Sequence, residues 1–356
     1  WLSRRLDTPI MAMGWAILAA GILQLLFQLP ALRGLDLLTL PRWGWSHPDV
    51  RKIMRLMVPT LFGSSVAQIN LLFDTVIASY LIVGSQSWLS QADRFLELPL
   101  GVFGVALGTV ILPSLSRHHV STDKAGFSRA LDWGLRVTLL IAVPAMFGLM
   151  LLAGPLVATL FQHGHWTAHD TDMATLSITA LSFGLPAFAL VKVLLPAFYA
   201  RQDTRTPVRA GVASMLTNML LNVLFLVLLF ELWAPPALKQ LPWLDGLAQL
   251  PGLHMALGLA SAVASYVNLY LLWHWLKKAG VYQRQPGWSR HLLRLVLACT
   301  VMVAVLLLGR WLWPDWTNLR WPTRLWHLLV LVTAGGAAYV GMLFAGGFRL
   351  RDLRAA

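Results

Sequence analysis

Runs of roughly 20 predominantly apolar residues recur along the chain, near 9–31, 54–82, 88–113, 132–153, 173–199, 207–232, 251–276, 291–312 and 326–347. A run of that length is what an α-helix needs to cross the hydrocarbon core of a bilayer. In lipid the backbone has to satisfy its own hydrogen bonds, and long runs without polar–apolar alternation point to helices rather than a barrel. The chain is therefore read as an all-α polytopic membrane protein with nine transmembrane helices. Composition agrees: 57% of residues are hydrophobic and 12% charged, about half the charged share of a soluble domain. That balance excludes a disordered chain and an ordinary soluble enzyme. Pro59, Pro99, Pro144, Pro186 and Pro196 fall inside the runs and predict kinks or broken turns.

The net charge of +13 would suggest a nucleic-acid partner in a soluble chain. Here the basic residues sort by connection. Arg33, Arg42, Arg51, Lys52 and Arg55 follow the first run, and the next connection has none. Arg117, Lys124, Arg129 and Arg136 come next, and residues 154–172 again have none. Arg201, Arg205 and Arg209 precede a connection holding Lys239 alone, and Lys277, Lys278, Arg284, Arg290 and Arg294 mark the following one. Arg310, Arg320 and Arg324 interrupt the alternation before Arg349, Arg351 and Arg354. By the positive-inside rule the C-terminus is cytoplasmic and residues 1–8, with Arg4 and Arg5, are exterior. Most of the excess charge is thus topological, and no nucleic-acid partner is expected. An odd number of spans with an exterior start, at Trp1 rather than a methionine, predicts at least one further span upstream. Several of the 17 tryptophans fall near span ends, where amphipathic rings prefer to sit. The lone Cys299 rules out a disulfide framework.

Ionisable groups inside a span are expensive, so those present are the functional candidates. Asp93, Arg94 and Glu97 lie one to two turns into the third run, in Gln91-Ala92-Asp93-Arg94-Phe95-Leu96-Glu97-Leu98-Pro99. At spacings of three and four they share one side of a helix. Two readings stand: an ion pair that locks helices together, or an arginine poised by two carboxylates to bind an anionic group such as a phosphate. A second set comprises Asp74, Asn218, Asn222 and Ser261, oxygen-bearing side chains within the second, sixth and seventh runs. It suits Na⁺ or a proton relay on one reading and interhelical hydrogen bonding on the other. Lys192, in the fifth run, either snorkels to the interface or serves a substrate. Asp203 or Thr206 is expected to cap the helix that Pro207 opens. His163, His165, His169 and Asp170 fit no closed zinc pattern, so no metal centre is expected. No nucleophile elbow, P-loop, HExxH or dinucleotide fingerprint occurs, so the chain is not read as an enzyme and no cofactor is expected beyond a coupling ion, Na⁺ or H⁺.

The run from Gln91 to Pro99 continues through Gly101-Val102-Phe103-Gly104-Val105-Ala106-Leu107-Gly108-Thr109 to Leu112-Pro113-Ser114-Leu115-Ser116. Together with residues 24–30 (QLLFQLP), 160–164 (LFQHG), 192–207 (KVLLPAFYARQDTRTP) and 285–288 (QPGW), it resembles the MurJ (MviN) family of bacterial lipid II flippases. That family sits within the multidrug/oligosaccharidyl-lipid/polysaccharide exporter superfamily. The resemblance implies fourteen helices in two six-helix lobes plus an extra pair, of which this chain would supply the last nine. Residues 1–53 would be the last helix of the first lobe with its cytoplasmic linker. Residues 54–276 would be the second lobe, and 277–356 the extra pair and tail, which would help form a groove for a lipid tail. It further implies that Asp93, Arg94 and Glu97 bind substrate, and that Asp74, Asn218, Asn222 and Ser261 stand where some members bind Na⁺. Asn222 stands where that sodium pattern has a carboxylate. The implied activity is alternating-access transfer of lipid II, the undecaprenyl-diphosphate-linked disaccharide pentapeptide, across the bacterial inner membrane. Membrane lipids and cell-wall synthesis proteins are the implied partners, with peptidoglycan biosynthesis and cell shape as the setting. The alternative is a related superfamily transporter, moving another polyprenyl-linked oligosaccharide or a drug by cation coupling.

Overall fold

The computed structural model describes residues 11–35, 44–45, 47–120 and 123–349. Arg4, Arg5, Arg42, Arg351 and Arg354 of the charge pattern lie outside the described residues, as do the side chains of Lys52, Arg55 and Pro59. The chain divides into two units, 1–56 and 57–356. The first contains α1 (Met11–Gly34), which carries Pro30 inside it and Arg33 in its last turn. Helix α2 (Pro48–Ser79) straddles the division.

The second unit continues with α3 (Ser85–Val120), α4 (Lys124–Leu160), α5 (Ala168–Ser182), α6 (Leu185–Tyr199) and α7 (Arg205–Trp233). Two short helices, α8 (Pro236–Lys239) and α9 (Trp243–Gln249), lead into α10 (Met255–Lys278), and α11 (Trp288–Leu312) and α12 (Trp321–Ala345) complete it. Among the described residues all regular structure is helical. Six helices are long and apolar enough to cross a membrane, namely α1, α4, α7, α10, α11 and α12, and α5 with α6 makes a seventh when the bent pair counts as one span. Helices α2 and α3, although 32 and 36 residues long, are not among them. The outward faces carry the apolar surface that lipid requires: Leu216, Leu220 and Leu224 on α7, and Leu293, Val296 and Leu297 on α11, are all exposed.

Proline acts at one place as the sequence predicts. Helices α5 and α6 meet at a 43° bend, with Pro186 in the first turn of α6, where a missing N–H costs nothing. The break packs tightly, because a Cβ on Gly184 would lie 2.7 Å from the Ala262 Cα of α10. Helix α3, by contrast, continues through Pro99 and Pro113 without interruption. Helix starts are capped by neighbouring acids. Asp123 accepts from the Gly126 N–H at the head of α4 (2.8 Å), and Thr167 and Asp170 form a reciprocal capping box on α5. Asp203 accepts from both the N–H and the hydroxyl of Thr206 at the start of α7 (3.0 and 2.6 Å). Partial burial raises its pKa, but those bonds and Arg201 outweigh the burial and hold it below the usual carboxylate value.

Helix α4 is the central strut, packing on α3, α5, α6, α11 and α12, while α7 pairs with α10. Helices α11 and α12 interlock through two glycines. A Cβ on Gly309 would meet the Leu331 side chain, and one on Gly335 would meet Leu306, so each leucine enters the notch the other helix leaves. The pair is fastened to α4 along its length. Trp288 at the start of α11 reaches Asp132, Arg310 near its end donates to the Leu151 carbonyl (3.1 Å), Arg324 at the start of α12 donates to the Ala158 carbonyl (2.7 Å), and Tyr339 donates to the Leu140 carbonyl (2.6 Å). Arg310 and Arg324 are two of the arginines that interrupt the charge alternation. Both are committed to helix carbonyls, and Arg324 is buried.

Candidate functional site

Helix α3 turns Ala92 and Leu96 inward against α4 and α5, which leaves the adjoining face outward. Asp93, Arg94 and Glu97 occupy that outward face, and all three are exposed. The expected contact between Arg94 and its flanking carboxylates is not formed: among the described residues Arg94 has no ion pair within 4.0 Å. The guanidinium is therefore available to an external anion.

Asp74, Asn218, Asn222 and Ser261 come from three helices, α2, α7 and α10, and the fold brings all four together. Asn222 Nδ2 donates to Asp74 Oδ1 (2.5 Å) and to Asn218 Oδ1 (2.7 Å), and Asn218 Nδ2 donates to Ser261 Oγ (2.7 Å). Asn70, one turn earlier on α2, donates to Asp74 Oδ2 (3.3 Å). Asn218 and Asn222 are almost fully buried, at 2% and 0% exposure. The network is nonetheless incomplete. The side-chain oxygens of Asn70 and Asn222 are buried without a hydrogen-bond donor, a state few native polar groups tolerate. Asp93 is close enough to act electrostatically on Asp74, and Glu97 on Asp93. A line of carboxylates thus runs from the buried network to the outward face of α3.

Beside the network lies a cavity of about 600 Å³ between α2, α3, α6, α7 and α10. Asn218 and Ser261 form one part of its wall, and Tyr199 and Thr204, at the α6–α7 turn, form another. Lys192 lines it. The histidine-rich loop adopts a different role from metal binding: Asp170 is engaged by the capping box and by Trp88 Nε1 (3.1 Å), and no group of three metal-ligating side chains forms among the described residues.

The family model described as lipid II flippase MurJ matches residues 2–234, which include α1 to α7 and every one of these residues except Ser261. The chain belongs to the MurJ family. It is 41% identical over its whole length to a probable lipid II flippase MurJ of Vibrio cholerae and 38% identical over 99% of its length to one of Haemophilus influenzae. It is 37% identical over 99% of its length to the lipid II flippase MurJ of Burkholderia cenocepacia. The chain spans 63%, 66% and 65% of those relatives' own lengths. A solved structure of lipid II flippase MurJ in an inward closed conformation superposes with a TM-score of 0.62 at 25% identity, over 82% of this chain and 54% of that one. The fold is also that of an outward-facing multidrug resistance MATE family transporter of the MOP superfamily (TM-score 0.51, 17% identity, 83% and 64% coverage). This segment of a MurJ family protein is integral to a membrane, as its apolar helices require.

One buried site in this MurJ family chain escaped the sequence reading. Asp132, in the third turn of α4 and only 2% exposed, accepts from Arg136 Nε (2.7 Å), Tyr282 Oη (2.8 Å), Trp288 Nε1 (2.7 Å) and the Gln285 N–H (3.4 Å). Arg136 in turn donates to the carbonyls of Gln285 and Pro286 and lies over the Trp288 ring. Ser128 exchanges hydrogen bonds with the Gln283 backbone. The 279–287 connection between α10 and α11 is thereby bound to α4. The signal available was the Asp132–Arg136 pair at spacing four, which reads equally as one more basic span end.

Proposed function

We propose that the chain is the C-terminal part of a lipid II flippase of the bacterial inner membrane. It would move the lipid-linked peptidoglycan precursor by alternating access, with a cavity that opens first to one side and then to the other. On this reading α1, α2, α3, α4, the α5–α6 pair, α7, α10, α11 and α12 are nine spans of a fourteen-helix protein. Residues 1–53 end the first lobe, 54–276 make the second, and 277–356 add the extra pair and tail. The arginine-rich ends and the C-terminus face the cytoplasm.

The observation that carries the reading is Arg94, a cation that lies on an outward face of an apolar bundle and has no ion-pair partner among the described residues. Its natural ligand is the diphosphate of lipid II, which a guanidinium binds through paired charge-assisted hydrogen bonds. Asp93 and Glu97 moderate its field so that the anion is released as well as held. Arg94→Ala in the full-length protein should lower lipid II translocation in proteoliposomes by about thirtyfold or more, the scale of losing one charged partner from a hydrogen-bonded pair formed with the bound substrate. Translocation at the normal rate would overturn the assignment.

Asp74, Asn218, Asn222 and Ser261 are proposed to hold the coupling ion, Na⁺ or H⁺. The support is the pair of buried amide oxygens that lack donors beside a carboxylate, a setting that a small hard cation completes. With Asn222 in place of a second carboxylate, that site carries the single charge of Asp74.

A further inference from the structure

The cavity beside the Asp74 network has a chemical character of its own. Among the described residues that line it none is acidic, and Lys192 is the one cation. Lys192 lies seven residues before the end of α6 at Tyr199, which places its backbone roughly 10 Å along the helix from that end. Among the described residues no carboxylate lies within 4.0 Å of its ammonium group. Its side chain is exposed, so the ammonium is open to an external anion. Asn268 lines the same cavity, and its side-chain oxygen is buried without a hydrogen-bond donor. Turned over, that carboxamide presents its NH₂ to an acceptor instead. Phe188, Leu195, Val208 and Met215 supply apolar wall. The volume of about 600 Å³ is that of a site for one drug-sized molecule, and it is too small for a disaccharide pentapeptide.

We infer that this cavity binds a long-chain amphipathic anion, with the carboxylate or phosphate paired to Lys192 and Asn268 and the hydrocarbon laid against Phe188, Leu195 and Met215. Asp93, Arg94 and Glu97 do not line it, although Leu100 of the same helix does. Because Asn218 and Ser261 belong both to its wall and to the Asp74 network, an occupant touches the same side chains that a coupling ion would rearrange. The ligand is thus placed to regulate the lobe and is not carried by it.

The test uses the full-length protein in nanodiscs of neutral lipid, with a diazirine-bearing long-chain fatty acid as probe and mass spectrometry to map the adducts. Adducts are expected on the peptides of α6 and α7. Lys192→Gln should reduce them by roughly tenfold or more, whereas Lys192→Arg should retain them. The methyl ester of the probe, which lacks the charge, should label as weakly as Lys192→Gln. Met215→Trp fills the cavity with Lys192 left in place and should give the same loss, which covers the case in which Lys192→Gln fails to fold. Competition by free oleate identifies a soluble fatty acid as the source, and competition by phosphatidic acid in the disc identifies a bilayer lipid; either supports the site. Equal labelling by the methyl ester, undiminished labelling of Met215→Trp, or adducts confined to other helices would overturn it. Arg94→Ala should leave the adducts unchanged. If it removes them, the probe occupies the proposed substrate face and the cavity site is wrong, whatever becomes of the flippase reading.

Discussion

Asp74 and Asp132 are carboxylates held inside the same helical bundle, yet their surroundings differ in kind. Asp132 is closed off: its donors are a guanidinium, a phenol, an indole and a backbone N–H, brought from α4, the α10–α11 connection and the start of α11. Asp74 receives two neutral amides, with no cation among its donors, and two oxygens beside it lack donors. A carboxylate whose acceptor sites are filled by a fixed cation and aromatic donors has nothing left to exchange. One surrounded by neutral groups and spare oxygens can exchange an ion without dismantling the fold. On the proposed reading the difference separates a fastening from a working site, although the two residue types are identical.

That comparison can be broken by substitution. Asp132→Ala leaves Arg136, Tyr282 and Trp288 without their common acceptor, and unfolding in detergent should become easier by about 3–5 kcal/mol, the cost of breaking a buried pair from one side. A melting curve unchanged by Asp132→Ala would remove the fastening role. Asp74→Asn should behave in the opposite way. Its stability should stay within about 1 kcal/mol of the parent, while Na⁺ or proton dependence of transport disappears. Loss of stability on the scale of Asp132→Ala would make Asp74 a second fastening. Asn222→Asp adds a charge beside Asp74 and should tighten Na⁺ binding by about tenfold, read as the shift of melting temperature with Na⁺. The smallest effect belongs to Tyr282→Phe, which deletes one of the donors to Asp132 and should cost about 1 kcal/mol.

Much of this architecture is legible in the sequence because lipid imposes one dominant rule. Each apolar run coincides with a helix or, for 173–199, with the α5–α6 pair whose break the Gly184-Leu185-Pro186 turn announces. The four oxygen-bearing residues were legible for the same reason: polar groups inside apolar runs stand out, and the fold does join them. Contacts carried by span ends were not legible. Tyr282 and Trp288 lie 150 and 156 positions from Asp132, and polar residues at span ends are expected whatever they touch. The free state of Arg94 was also hidden, since spacing sets which face a side chain shares and leaves its direction open. The helices α8 and α9 fall in a stretch of mixed polarity that reads as a connecting loop.

The fastening of α11 and α12 to α4 has a mechanical consequence. Contacts at Asp132 and Leu140 hold the arginine-rich ends together, and contacts at Leu151 and Ala158 hold the opposite ends, with the glycine notches joining α11 to α12 between them. Three helices tied at both ends behave as a girder: they can tilt as one piece but resist sliding past each other. Any crevice beside these helices therefore opens along a flank of the girder, and the seams within it stay shut.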